Sequence, residues 1–328
     1  MFHLKKGLLL SALFFAFSLE ADNVSFTFYN DFFGGKDGHF TNGATLKWLE
    51  NTQEKDNSYT NMLLSLARNI SLPLDNSKRY NAGLSLGQII ITPNNTQLET
   101  AQYNDLPYVG HLSLASFLFE WDKKSFNEYS IEAGIMGKYS GAEFVQKTFH
   151  KMIGSEQPQG WDTQLSTRFT LNLLVQHGMK SWQGRVGDDL QSDWFNHYGV
   201  TLGNFNISAF GGSVIRIGHN YVQNFNAHYP DLKGEANLLD SDTQQHGFGW
   251  STSAGIETKL LAYSAILDRA ANNGYAVHKN IFNAVLHTSG SIYYDQHKFR
   301  LFYEFPTPYT KEDHSIKVIG GFEYSYRF

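Results

Sequence analysis

One short segment carries side chains that could hydrolyse an ester. Gln146 and His150 lie four residues apart, which places them side by side on a helix, and Glu156 follows within a polar run. A histidine exchanges protons near neutral pH, so His150 could act as a general base. It could equally be a solvated or hydrogen-bonded loop histidine, because most histidines do no chemistry. The residues that accompany it must decide between the two interpretations.

The residues around His150 predict a short amphipathic helix from residue 141 onward. Gly154 stands where a helix would end. The apolar stripe follows helical spacing and consists of Ala142, Val145, Phe149, Met152 and Ile153. Gln146 and His150 border this stripe and would project together.

The rest of the chain alternates apolar and polar residues with a period of two. In the last segment Phe322 and Tyr324 fall on one face, and Glu323 and Ser325 fall on the other. This alternation is typical of a transmembrane barrel, which has lipid outside and polar side chains inside. About twelve strands are predicted: 22–32, 39–50, 80–92, 108–121, 127–138, 162–176, 193–203, 206–218, 246–259, 279–293, 296–306 and 314–328. The connections 51–79 and 219–245 are long for periplasmic turns, and 61–70 could form a short helix.

The N-terminus predicts export. Lys5 and Lys6 precede an uncharged run over residues 7–18, which is too short to span a membrane and has the layout of a signal peptide. We therefore expect residues 1–21 to be a signal peptide and residues 22–328 to form one domain. The chain has no cysteine, so no disulfide framework is available. A net charge of −5 without basic clusters makes nucleic acid an unexpected partner.

These features together favour an all-β fold, a transmembrane antiparallel up-and-down β-barrel with a short helix in an extracellular loop. Aromatic residues concentrate near strand ends, and the chain ends on Phe328 after an alternating strand. A secreted β-sandwich or a lipocalin-like barrel remains the alternative, because a half-buried soluble sheet also alternates. With both termini in the periplasm, the connections 33–38, 93–107 and 139–161 lie at the external mouth.

A carboxylate and a hydroxyl are expected beside His150 at this mouth. Alternation carried on from Val24 places Asp31 on the lumen side, and alternation counted back from Ala44 places Thr41 there too. The helix that carries His150 could then fold over both. Asn30 and Asp31 should face opposite sides of a regular strand.

An ordered set of motifs resembles the lipid A 3′-O-deacylases of the LpxR family. The motifs are Asn30-Asp31, FTNG at 40–43, ITP at 91–93, DLPYVG at 105–110, and Gln146, His150 and Glu156 followed by GWDTQ at 160–164. The resemblance is distinct over residues 22–177 and fainter beyond. Where the family can carry a lysine after its Ser/Thr-Pro, residues 94–102 contain none.

The resemblance implies a twelve-stranded outer-membrane barrel that removes the 3′-linked acyloxyacyl group of lipid A, with its active site facing the extracellular leaflet. It implies that His150 activates water in a calcium-dependent scheme. The other matching active-site positions are Asn30, Asp31, Thr41, Gln146 and Glu156. The implied partners are lipopolysaccharide and outer-membrane lipid, and we expect a monomer.

Calcium suits this chemistry because it binds hard oxygen ligands and would stabilise a tetrahedral oxyanion. Asp31, Thr41 and Glu156 are the candidate ligands, helped by the Asn30 amide and main-chain carbonyls, while Gln146 could orient water or the substrate carbonyl. No serine nucleophile is then required.

Two other functions stay open at the level of sequence. A serine-type outer-membrane phospholipase would need a supported Ser-His pair, and Ser116 and Ser253 sit in no supporting motif. A non-enzymatic barrel, such as a porin or an adhesin, would need no catalytic cluster, and a porin should conduct ions steadily.

Overall fold

The alternating segments form a closed barrel of twelve antiparallel strands in a computed structural model, which describes residues 23–31, 39–50, 58–230, 236 and 246–328. Each strand pairs with its neighbours in sequence, and the first strand pairs with the last. The predicted fold class is therefore confirmed. The predicted signal peptide, residues 1–21, lies outside the described residues.

The strands match the predicted segments closely. They are β1 (Asn23–Asn30), β2 (His39–Leu49), β3 (Arg79–Thr92), β4 (Val109–Trp121), β5 (Ser125–Met136), β6 (Arg168–Val186), β7 (Leu190–Gly203), β8 (Asn206–His219), β9 (Phe248–Ser264), β10 (Phe282–Tyr294), β11 (His297–Pro306) and β12 (Ile319–Arg327). The predicted sixth strand began too early, because residues 160–163 form a 3-10 turn before β6. The predicted twelfth strand also began too early, and residues 307–318 are a connection.

The described parts of the connections contain three α-helices: α1 (Ser58–Asn69), α2 (Ala142–Ile153) and α3 (Ala265–Asn272). We call the end of the barrel that carries connections 93–108, 137–167, 265–281 and 307–318 the upper end. The lower end carries 50–78 and 220–247. Both α2 and α3 thus belong to the upper end, and α1 belongs to the lower end, as the 61–70 segment predicted.

Alternation of burial shows which side chains face the lumen. Along β11 buried and exposed residues follow one another without a break, with Arg300 1% exposed and Leu301 55% exposed. Arg300 donates to the buried Glu323 on β12, so charged residues fill the inside while apolar residues cover the wall. This is the pattern of a barrel surrounded by lipid. Among the described helices, none is long and apolar enough to cross a membrane.

Residues 220–230, the first part of the connection 220–247, form a plug in the lumen, whereas the sequence suggested a long periplasmic turn. Phe225 is fully buried and packs against Phe126 and Phe195, whose side chains face the lumen. Arg216 on β8, 1% exposed, pairs with Asp193 and donates to main-chain carbonyls of the plug. The segment folds inward because it brings aromatic residues to an aromatic interior and carbonyl oxygens to a buried guanidinium.

Candidate active site

The helix α2 forms where the apolar stripe predicted it. Gly154 ends it with a φ of 71°, in the left-handed region that favours glycine, and the main-chain N–H of Gly154 donates to the carbonyl of His150. The buried residues of α2 are Ala142, Gln146 and His150, spaced four apart. Both candidate catalytic side chains therefore lie on the face that packs against the barrel.

That face covers the outside of the barrel wall. Ile90 and Gly110 are paired across β3 and β4 and face outward, because the next residue, His111, points inward to Thr170. A Cβ at Gly110 would come within 2.1 Å of the Ala142 Cβ, so only glycine permits this approach. The prediction that the helix folds over lumen-facing residues at the mouth is wrong, because its apolar face packs on the outward row of strand residues.

The far part of α2 reaches β1. The rings of Phe28 and Phe149 are 6.1 Å apart, and these residues lie two positions before Asn30 and one position before His150. Asn30 shares the outward register of Phe28 yet is only 8% exposed. Asn42, on the same row of β2, is 6% exposed. A pair of amides on the outer wall is thus covered at the end of the barrel where His150 lies.

Asp31 is separated from Asn30 by the alternation of the strand, as expected. Its side chain is 5% exposed and lines a cavity of about 390 Å³ at the upper mouth. Asn94, Asp105, Tyr309 and Lys317 line the same cavity. Asp31 is therefore on the lumen side of the wall that carries Asn30 on its outer side.

Thr41 sits at an irregularity in β2. Phe40 pairs with Ile91 and Asn42 pairs with Ile90, so Thr41 is an extra residue between two consecutive pairs. Such a bulge re-aims the chain and breaks the alternation. The prediction that Thr41 faces the lumen assumed regular alternation back from Ala44, and this alternation is interrupted at Thr41. The side chain of Thr41 lies outside the described part of the chain.

His150 is held by a main-chain oxygen. Its Nδ1 lies 2.6 Å from the carbonyl oxygen of Glu156. A carbonyl can only accept a hydrogen bond, so in the neutral ring Nδ1 carries the proton and Nε2 carries the free lone pair. This is the tautomer that a general base needs. Glu156 itself is exposed, so the chain turn after Gly154 places its carbonyl, and not its carboxylate, beside the ring.

Gln146 is oriented by Trp161, a residue for which the sequence predicted no role of its own. The Trp161 Nε1 donates to the Gln146 Oε1 across 2.8 Å, and Trp161 is fully buried against Ile90, Tyr108 and Ala142. The Gln146 Nε2 is buried and has no hydrogen-bond partner among the residues described. The amide therefore presents a free donor. The GWDTQ motif contained Trp161, but its indole could be paired with Gln146 only in three dimensions.

The donor set suits a hard cation in its chemistry. Asn30 supplies an amide oxygen on the outer side of the wall and Glu156 supplies an exposed carboxylate, whereas the buried Asp31 carboxylate lies on the lumen side. The described residues gather no group of three or more histidine, aspartate or glutamate side chains around one point. Main-chain carbonyls and water would complete the shell of a calcium ion, which takes six to eight oxygen ligands.

A closed twelve-stranded barrel with lipid-compatible outer residues, and with a polar cluster under a helix on its outer wall, defines an integral outer-membrane β-barrel protein. The model of the family described as outer membrane protein LpxR matches residues 7–328. The chain belongs to this family and to the outer membrane.

Solved structures include one with the same fold and others of lower similarity. LpxR from Salmonella typhimurium superposes with a TM-score of 0.75 at 15% sequence identity, covering 93% of this chain and 100% of that chain. The β domain of the Bordetella autotransporter BrkA gives a TM-score of 0.46 at 10% identity, covering 94% of this chain and 100% of that chain. The translocator domain of NalP from Neisseria meningitidis gives 0.41 at 10% identity, covering 99% and 95%. No curated protein matches the chain.

Proposed function

We propose that this protein is an esterase that removes the 3′-linked acyloxyacyl group of lipid A, with His150 as the general base. Membership of the LpxR family supports lipid A deacylation in the outer membrane. The substrate is a membrane lipid, and a site on the outer wall of a barrel is directly accessible from the lipid phase. The active site would face the extracellular leaflet, and the protein would act as a monomer.

The observation that carries the mechanism is the bond between His150 Nδ1 and the Glu156 carbonyl. It leaves Nε2 able to take a proton from water. The water oxygen then bonds to the ester carbon, and the bond from that carbon to the sugar oxygen breaks. The imidazolium returns its proton to the departing oxygen. Gln146 would direct its free Nε2 donor at the substrate carbonyl or at the water.

Calcium is part of the proposal through the residues that would hold it. Thr41 and Glu156 would supply oxygen ligands, and Asn30 would add its amide oxygen. The Asp31 carboxylate faces the lumen, so Asp31 would contribute through its main-chain oxygen. When bound, the ion would supply positive charge for the oxyanion of the tetrahedral intermediate. The position of Asn30 supports this, because its amide lies on the outer side of the wall, as α2 does.

The two alternative functions gain little support from the structure. The plug packs aromatic residues into the lumen, which does not favour a porin. Ser116 pairs with Tyr59, and Ser253 pairs with Ser289. Neither serine has a histidine among its partners in the described part of the chain, as a serine-type phospholipase would require.

The test is mass spectrometry of lipid A from matched cells with and without the protein. We expect the wild type to release one 3′ acyloxyacyl unit and His150→Ala to release none, with barrel folding shown by heat-modifiable gel mobility. His314→Ala is a matched control, because this exposed histidine lies at the same end of the barrel. Release by His150→Ala at the wild-type rate would remove the proposed role of His150.

A further inference from the structure

The helices α1 and α2 cover the same sector of the outer wall at opposite ends of the barrel. In α1, Leu64 and Ala67 pack against Ala82 and Leu118, whose strands β3 and β4 also carry the residues under α2. Leu118 lies eight residues along β4 from Gly110, which is about 27 Å along the strand or about 20 Å along the membrane normal. The two helices therefore bracket most of an apolar band about 25 Å tall.

The lower helix is fixed firmly to the wall. The Glu50 carboxylate accepts from the main-chain N–H groups of Tyr59 and Thr60, which are otherwise unpaired at a helix N-terminus. The Tyr59 hydroxyl lies 2.8 Å from the Ser116 Oγ, and its ring lies 5.6 Å from the Trp48 ring. These contacts make α1 a rigid part of the outer surface.

One side of α1 is apolar although nothing in the described chain covers it. Met62, Leu66 and Ile70 are 49%, 54% and 75% exposed. Leu66 lies seven residues, or about two turns, after Tyr59, so both project from the same side of the helix. Tyr59 reaches toward Ser116, which lies nearer the upper end than Leu118. This apolar side of α1 is thus directed along the wall toward α2.

Between the helices lies an apolar part of the outer wall that we call the outer-wall strip, formed by Phe26, Phe28, Ala44 and Leu46. Phe28 pairs with Ala44, and Phe26 pairs with Leu46, so the two rings stand beside two smaller side chains. The next pair, Val24 and Trp48, leads to the Tyr59 ring of α1. At its upper end the strip meets Phe149 of α2 through Phe28. It therefore runs from the neighbourhood of His150 to α1.

The length of the outer-wall strip matches one lipid chain. Six residues separate the Asn42 row from the Trp48 row, which is about 20 Å along the strand and about 15 Å along the membrane normal. One leaflet is half of a hydrocarbon core about 30 Å thick, or about 15 Å. A chain that starts at the level of α2 would reach the Trp48 and Tyr59 rings near its end.

We propose that the outer-wall strip binds an acyl chain of the lipid whose ester is cleaved beside His150, and that Trp48 and Tyr59 set the chain length it accepts. This inference rests on the proposed function. Ala44 is the smallest side chain of the strip and lies two residues from the amide of Asn42, so it leaves room where the chain enters. Side chains on the lipid-facing wall would then select the substrate by the length of its acyl chain.

The first test fills the strip. Ala44→Trp should lower the ratio of rates on long-chain and short-chain esters by about tenfold, because lost pocket space discriminates between chain lengths. Tyr59→Ala should shift the preferred length upward. Leu171→Trp, on the lipid-facing wall of β6, is the matched control and should keep the wild-type ratio. An unchanged ratio in Ala44→Trp would overturn the proposal.

The second test reads binding without catalysis. The chain has no cysteine, so Leu46→Cys can carry a single bimane label, and Leu301→Cys on β11 provides a control label facing lipid. We expect brominated lipid A to quench the label at residue 46 at a lower mole fraction than brominated phospholipid does. At residue 301 we expect the two brominated lipids to quench the label equally well. Equal quenching by both lipids at residue 46 would mean that the strip contacts only bulk bilayer.

The two proposals fail in different ways. If His150→Ala still releases the acyloxyacyl group while quenching at residue 46 stays selective, the catalytic role is lost and the acyl site stands. If His150→Ala is inactive and the quenching is not selective, the esterase stands and the acyl site is lost.

Discussion

The Trp161 indole N–H donates to the side-chain Oε1 of Gln146 across 2.8 Å, and this hydrogen bond fixes the direction of a buried amide. Because the oxygen is occupied, the free Nε2 is the group left for substrate or water. Trp161→Phe keeps most of the packing but removes the donor. We expect it to lower lipid A deacylation by about tenfold or more, since one misplaced polar group costs this much.

The measurement is release of the acyl group by purified protein in detergent micelles. A structural role for Trp161 alone would lower thermal stability and leave the rate per folded molecule unchanged. Trp182→Phe is a useful control, because Trp182 lies on β6 at the lower end of the barrel and is 46% exposed.

The calcium proposal predicts a defined metal dependence. Chelator should abolish acyl release, and calcium should restore it. Asn30→Ala removes the amide oxygen on the outer side of the wall, so more calcium should be needed for half-maximal activity. Wild-type activity in excess chelator would remove the ion from the mechanism, whatever Asn30→Ala does.

The plug predicts a closed pore. Purified protein in planar bilayers should show no steady conductance, because Phe225 and Tyr229 pack with the inward residues of the wall. Deleting residues 223–229 should produce a steady current, since it removes this packing from a lumen lined by charged side chains. If the intact protein conducts as well as the deletion variant does, the plug does not close the lumen.

The buried pair of Arg216 and Asp193 predicts an asymmetry in stability. Arg216→Met leaves the Asp193 carboxylate buried without its partner and should cost about 3–5 kcal/mol. The double variant with Asp193→Leu should lose less, because neither charge remains. Denaturant midpoints of folded barrels in micelles measure both. If the loss of stability in the double variant equals the sum of the losses in Arg216→Met and Asp193→Leu, the two residues are not coupled.

The strands could be predicted because lipid and lumen impose opposite chemistry on neighbouring residues. Leu301 and Arg300 illustrate this, one in contact with lipid and one buried among charges. The helix α2 and its end at Gly154 were also predicted, since local spacing and a left-handed glycine are visible in sequence. Its apolar stripe did not reveal whether the helix would pack inside the mouth or outside the wall.

The features that the sequence did not predict depend on contacts between segments that are distant along the chain. Trp161 finds Gln146 through a helix and a turn packed on β3 and β4, and no spacing along the chain reports that bond. The extra residue at Thr41 changes the alternation by one, which a count along β2 cannot detect. The plug also escaped prediction, because a polar connection with a few aromatic residues resembles a long periplasmic turn.

The position of α2 on the outside of the wall separates two tasks that many barrels combine. A lipid substrate of the proposed site would reach this helix by diffusing sideways within its leaflet, so the proposed chemistry would need no opening through the protein. The interior is then available for packing alone. The proposed reaction on the outer wall would leave the permeability barrier of the cell intact.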